Sequence, residues 1–138
     1  MKRDIYICMD DSGKLNRNEK WTVYGGMVFL SQIERNSFIR KYQSVIEEIK
    51  CSYCEEDPYG CLKMCPEVKS SNPLKGEHRR RLMNMIKKEY TYVCLINNNK
   101  VYDHIMNSKA GRGRYSDYAI KMFVKRIIQD LLYKGSLN

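Results

Sequence analysis

Long apolar runs, acidic residues and histidine are what this sequence has little of. No stretch of about twenty uncharged apolar residues occurs, the length that a membrane-crossing helix requires, so none is expected. Lys2 and Arg3 are followed at once by Asp4, and the apolar run after them is too short for a signal peptide. A cytoplasmic location is the expectation. Sixteen Asp and Glu stand against twenty-five Lys and Arg, a formal charge of +9. Such an excess favours a polyanionic partner, because cationic side chains that neutralise phosphates release condensed counterions. The two histidines, His78 and His104, stand beside no nucleophilic Ser or Cys pattern. Both are expected to be roleless, His78 on an exposed helix face and His104 in a loop. No glycine spacing matches a nucleotide-binding loop, and there is neither an internal repeat nor a low-complexity tract.

What is present begins with Ile5-Tyr6-Ile7-Cys8-Met9, a β-prone run that breaks into Asp10-Asp11-Ser12-Gly13. It reads as a buried strand with a glycine at its exit. Alternation puts the Asp10 and Asp11 side chains on opposite faces, so only one of them can serve a given cleft. A carboxylate at a strand end suits a hard divalent cation; a solvated turn is the alternative. Residues 14–20 read as a hairpin loop and residues 21–30 as a second strand. Gly25-Gly26 within it marks a bulge or a close backbone approach. Ser31 and Glu34 form a capping box for a helix that buries Phe38, Tyr42, Val45, Ile46 and Ile49.

Residues 51–66 read as a cysteine-rich loop carrying Cys51, Cys54, Cys61 and Cys65. Four thiols this close can hold one zinc tetrahedrally, or remain free in a surface loop. Cys8 and Cys94 lie in apolar runs and read as core residues. A short extended segment then places Glu67 and Lys69 on one side. A helix over residues 73–89 opens with Lys75, His78, Arg79, Arg80 and Arg81, a cluster suited either to phosphate contact or to a solvated face. Residues 90–96 form a third strand, ended by Asn97-Asn98-Asn99. A cationic stretch follows with Lys109, Gly111, Arg112, Gly113 and Arg114, read as a flexible linker or a flap over a nucleic-acid backbone. A final helix over residues 115–133 buries Ile120, Phe123, Val124, Ile127 and Leu131, with Gly135 as its cap.

These stretches in this order resemble domain-of-unknown-function family thirty-eight-hundred, whose members usually open with Asp-Glu-Ser-Gly. The resemblance spans roughly residues 5–132 and rests on Asp10-Asp11-Ser12-Gly13, Gly25-Gly26 and Glu67-Val68-Lys69-Ser70-Ser71. It implies a single domain over residues 1–138 of the ribonuclease H-like superfamily, α/β (α+β), with a mixed sheet of about three strands, three helices and a Cys-rich insertion. It further implies metal-dependent nuclease chemistry on DNA or RNA. Asp10 and Glu67 would hold Mg²⁺ or Mn²⁺, with Asp11 standing where the family has Glu and Lys69 neutralising a phosphate. The departures are as informative. Family members continue into a second half with another strand and further acids, so the resemblance implies a truncated domain. Here Asp103, Asp117 and Asp130 match no motif, and the latter two are expected in solvent. The alternative is a non-catalytic protein of the same fold that holds nucleic acid, or a nucleic-acid enzyme, through Lys75, Arg79, Arg80, Arg81, Arg112 and Arg114. An open sheet edge would also favour a homodimer.

Overall fold

The structure is a computed structural model that describes residues 4–56, 68 and 74–137. Its sheet has three antiparallel strands, β1 (Tyr6–Ser12), β2 (Trp21–Phe29) and β3 (Tyr90–Asn97), in the order β1-β2-β3. The described helices are α1 (Gln32–Glu56), α2 (Gly76–Ile86), the single turn α3 (Asp103–Met106) and α4 (Lys109–Tyr133), with a 3₁₀ turn at Asn98–Lys100. The expected α+β organisation is therefore present. The described sheet is antiparallel, where the resemblance implies a mixed one, and α3 is a fourth helix. No described helix is long and apolar enough to cross a membrane. Residues divide into two compact units, one of 1–7 and 27–91, the other of 8–26 and 92–138.

In the first unit, Ser31 caps α1 as its sequence predicts, its Oγ accepting from the Glu34 N–H at 3.2 Å. The Glu34 carboxylate reaches one residue further back than a standard capping box, accepting from the Leu30 N–H. Phe38, Val45 and Ile49 are buried along one face of α1. Val45 and Ile49 pack with Leu82 of α2, and Tyr42 and Ile46 lean on the same cluster. Burial also raises the Tyr42 hydroxyl pKa.

α1 does not stop before the cysteines. It continues to Glu56, so Cys51 and Cys54 are helical, three apart and on one face. The start of the expected loop is thereby corrected. The helical periodicity of Tyr42, Ile46, Ile49 and Tyr53 carries the chain through, because all four join or border one cluster. α2 is shorter than its predicted span, closing at Ile86 before a turn that leads into β3. His78 is not exposed as expected. Its side chain is 15% accessible, packed against the Tyr53 ring and 3.5 Å from Ser52 Oγ.

In the second unit, α4 begins six residues before the predicted start, absorbing the expected cationic linker. Ser108 is its cap, its Oγ accepting from the Gly111 N–H at 2.9 Å. A Cβ on Gly111 would lie 2.6 Å from the Ile105 carbonyl oxygen, so glycine serves close packing there rather than flexibility. Phe123, Ile127 and Leu131 are buried at a four-residue spacing. A Cβ at Gly26 would meet the Met9 side chain and Cys8 carbonyl and come within 3.9 Å of the Phe123 ring, a close approach at one member of the glycine pair, whereas a Cβ at Gly25 would meet nothing within 4 Å. Gly135, at φ +69°, closes the helix as predicted, the Ser136 N–H donating to the Leu131 carbonyl.

Candidate functional site

The second unit positions Asp10 and Asp11. β1 lies at one edge of the sheet, and none of its residues is fully buried. The expected buried strand is thus a half-covered edge strand, whose side chains are only partly covered or exposed. Cys8 is exposed, which corrects its assignment to the core. Met9 shares the side of Gly26 that faces Phe123. By alternation Cys8, Asp10 and Ser12 take the other side of the sheet, and Asp11 the side of Met9. Both aspartates are exposed, and one Asp10 carboxylate oxygen accepts from the Asp11 N–H at 2.9 Å. Among the described residues neither carboxylate has a cationic partner.

The turn that follows is pinned at several points. Gly13 has φ +80°, and a Cβ there would sit 2.6 Å from the Trp21 carbonyl oxygen, so the strand exit admits glycine alone. The Lys14 N–H donates to the Glu19 carboxylate. Asn98, fully buried, then ties the hairpin loop to the end of β3. Its Oδ1 accepts from Thr22 Oγ1 at 2.9 Å, and its Nδ2 donates to the carbonyls of Lys14 (3.0 Å) and Glu19 (2.9 Å). Its backbone N–H donates to the Lys20 carbonyl. Arg17 crosses the same junction, donating to the carbonyls of Asn98 and Val101 and pairing with Asp103. Read from the sequence, Asn98 is only a strand terminator; a Thr22–Asn98 pairing across 76 residues leaves no local signal.

The cationic candidates fall into two kinds. Lys75 pairs with Glu56 and lies over the Tyr53 ring; the Glu56 hydrogen bond raises its pKa. Arg81 pairs with Glu48 at 2.5 Å, and Arg112 donates to the Met106 carbonyl. Arg79, Arg80 and Arg114 are exposed, and their side chains have no hydrogen bond or ion pair among the described residues. On α4 the same holds for Lys121, Lys125 and Arg126. Asp130, expected in solvent, is half-buried: it accepts from the Tyr92 hydroxyl and from Lys134, each at 2.7 Å. The Lys134 bond, then the Tyr92 bond, holds its carboxyl below the usual range.

Glu67, Lys69, Cys61 and Cys65 lie outside the described residues. Cys51 is a free, exposed thiol near the end of α1, whereas Cys54 is disulfide-bonded. A four-thiolate zinc site would require that cysteine in its reduced form. Cys94, expected in the core, is half-buried and free, and desolvation raises its thiol pKa. No group of three or more His, Cys, Asp or Glu among the described residues is placed to hold a metal ion. No family model, no curated protein and no solved structure matches this chain.

Proposed function

We propose that this chain is a divalent-metal-dependent nuclease domain of ribonuclease H-like type, cutting DNA or RNA phosphodiesters. The observation that carries the reading is Asp10. In a chain of charge +9, this carboxylate stands exposed two residues before the end of β1, next to a second one, with no cation among the described residues to neutralise either. The strand end is fixed by Gly13 and by the Asn98 and Arg17 bonds across the hairpin loop, as a catalytic carboxylate must be. Carboxylate oxygen is the donor that Mg²⁺ and Mn²⁺ prefer, so the chemistry of the residue fits the ion. One carboxylate does not make a site, and Glu67 is the second ligand in this reading, with Lys69 meeting a phosphate. A bound Mg²⁺ or Mn²⁺ would supply an activated water and charge stabilisation. Asp10 would position the ion, and the unpaired arginines would hold the polyanion.

The test is Mn²⁺ titration by calorimetry alongside cleavage of labelled single- and double-stranded DNA and RNA. Asp10→Ala and Glu67→Ala are each expected to abolish both metal uptake and cleavage, leaving the fold intact by circular dichroism. Metal-independent cleavage, or none with any substrate, rejects the nuclease.

A second reading is favoured by the free cations. Arg79, Arg80 and Arg114 leave their charge available, which suits a non-catalytic protein that holds nucleic acid. Such binding weakens steeply with salt. Arg79→Ala with Arg80→Ala is expected to lower the slope of log affinity against log salt by about 2, roughly 1 for each phosphate no longer neutralised. A flat salt dependence discards this reading, and indifference of binding to Asp10→Ala separates it from the first.

A further inference from the structure

The strand at the other edge of the sheet, β3, borders a groove that the nuclease reading does not use. It has a volume of about 740 Å³ and lies in the second unit, between β3 residues 92–94 and one face of α4. Ala119, Met122, Phe123 and Ile127 give it an apolar floor. Two charged side chains enter it. Asp130 is already engaged by the Tyr92 hydroxyl and Lys134. Arg126 is exposed, and its guanidinium has no hydrogen bond or ion pair among the described residues, so one positive charge is left without a complement. On the opposite side of the strand Val93 and Leu95 are 61% and 62% accessible. Among the described residues no strand pairs with the outer side of β3. That edge therefore offers backbone N–H and C=O groups to a further strand, with apolar surface on both sides and one guanidinium.

We propose that this edge binds an extended peptide of a partner protein as a fourth strand, with an apolar side chain in the groove and an acidic one on Arg126. Main-chain bonding to a sheet edge supplies affinity in such complexes, and pockets for alternate side chains supply selectivity. A polyanion fits poorly, because its affinity scales with the number of phosphates neutralised and the groove's described lining holds one free cation over an apolar floor. The guanidinium favours a carboxylate, which it meets in a paired, planar geometry.

The test uses the full chain and a fluorescein-labelled hexapeptide, Val-Thr-Glu-Val-Val-Thr. Its odd-numbered side chains share one face, so the glutamate lies between two valines on the groove side. Fluorescence anisotropy is compared for this peptide, its Glu→Gln counterpart, and two versions N-methylated on alternate backbone amides. Saturable binding is expected, weakened about tenfold, or 1.4 kcal/mol, by the Gln peptide and by more than that by Arg126→Glu, which sets two carboxylates against each other. One N-methylation pattern should abolish binding and the other leave it intact, a readout that needs no protein variant. Amide exchange in β3 should slow on binding. Equal binding of both methylated peptides, or no effect of Arg126→Glu, overturns the proposal. So does concentration-dependent protection of β3 in the free protein, which would assign the edge to a second copy of the chain.

Discussion

The two faces of the sheet in the second unit differ in cover rather than in composition. On the side that faces α4, Thr22, Tyr24 and Ile96 are buried, and α4 itself buries Phe123, Ile127 and Leu131 at four-residue spacing. On the other side Trp21, Val93 and Leu95 remain accessible, although they are just as apolar. Alternation of apolar with polar residues normally reports which face of a sheet is dry. Here both faces are apolar, so the pattern identifies strands without identifying the core. The surplus apolar surface on the open face is information of another kind, since exposed patches of this sort mark contact with something else.

The largest test of that difference compares truncations on the two sides. Ile127→Ala removes a side chain of zero accessibility and is expected to cost about 3–4 kcal/mol in urea unfolding. Leu95→Ala, on the open side, should cost less than about 0.5 kcal/mol. Equal losses would mean that the open face is covered in solution.

A smaller effect comes from Asp130, beneath the covered side. Its carboxyl is held below the ordinary value in the folded chain, so its contribution is present above the unfolded pKa of about 4 and disappears as pH falls through the lowered folded value. Asp130→Asn should therefore be less stable than the native chain near neutrality, and the gap should close on acidification. A gap that persists in strong acid would assign the loss to packing instead. The smallest effect is kinetic. Cys8 and Cys51, both exposed, should react with iodoacetamide before Cys94, whose raised pKa leaves less thiolate. Peptide mapping by mass spectrometry that found Cys94 modified first would show that its thiol is not desolvated.

Local signals account for much of this fold. Ser31 and Glu34 mark the start of α1, the periodicity from Phe38 to Ile49 marks its buried face, and Gly135 marks the end of α4. Three β-prone runs are three strands. The errors have two causes, dependence on distant partners and local signals that oppose one another. β1 reads as buried because its residues are apolar, but its position at an edge depends on the sheet order. Gly-Arg-Gly after Lys109 reads as coil, yet the cap at Ser108 and the crowding at Gly111 make it helix. Ser108 is the local signal for that start, set against two glycines. Of the candidate site, Asp10 and Asp11 are legible as a motif. The bonds that steady their strand are not, because Asn98 and Thr22 meet across most of the chain.

Asn98 has a consequence for how this protein ages. An asparagine deamidates when the next backbone nitrogen attacks its side-chain carbonyl, and here that carbonyl is held by a threonine hydroxyl inside a dry junction. Conversion to aspartate would turn a donor into an acceptor facing two carbonyl oxygens, those of Lys14 and Glu19. A single chemical lesion at this residue would loosen the hairpin that follows Asp10, without touching the carboxylate itself.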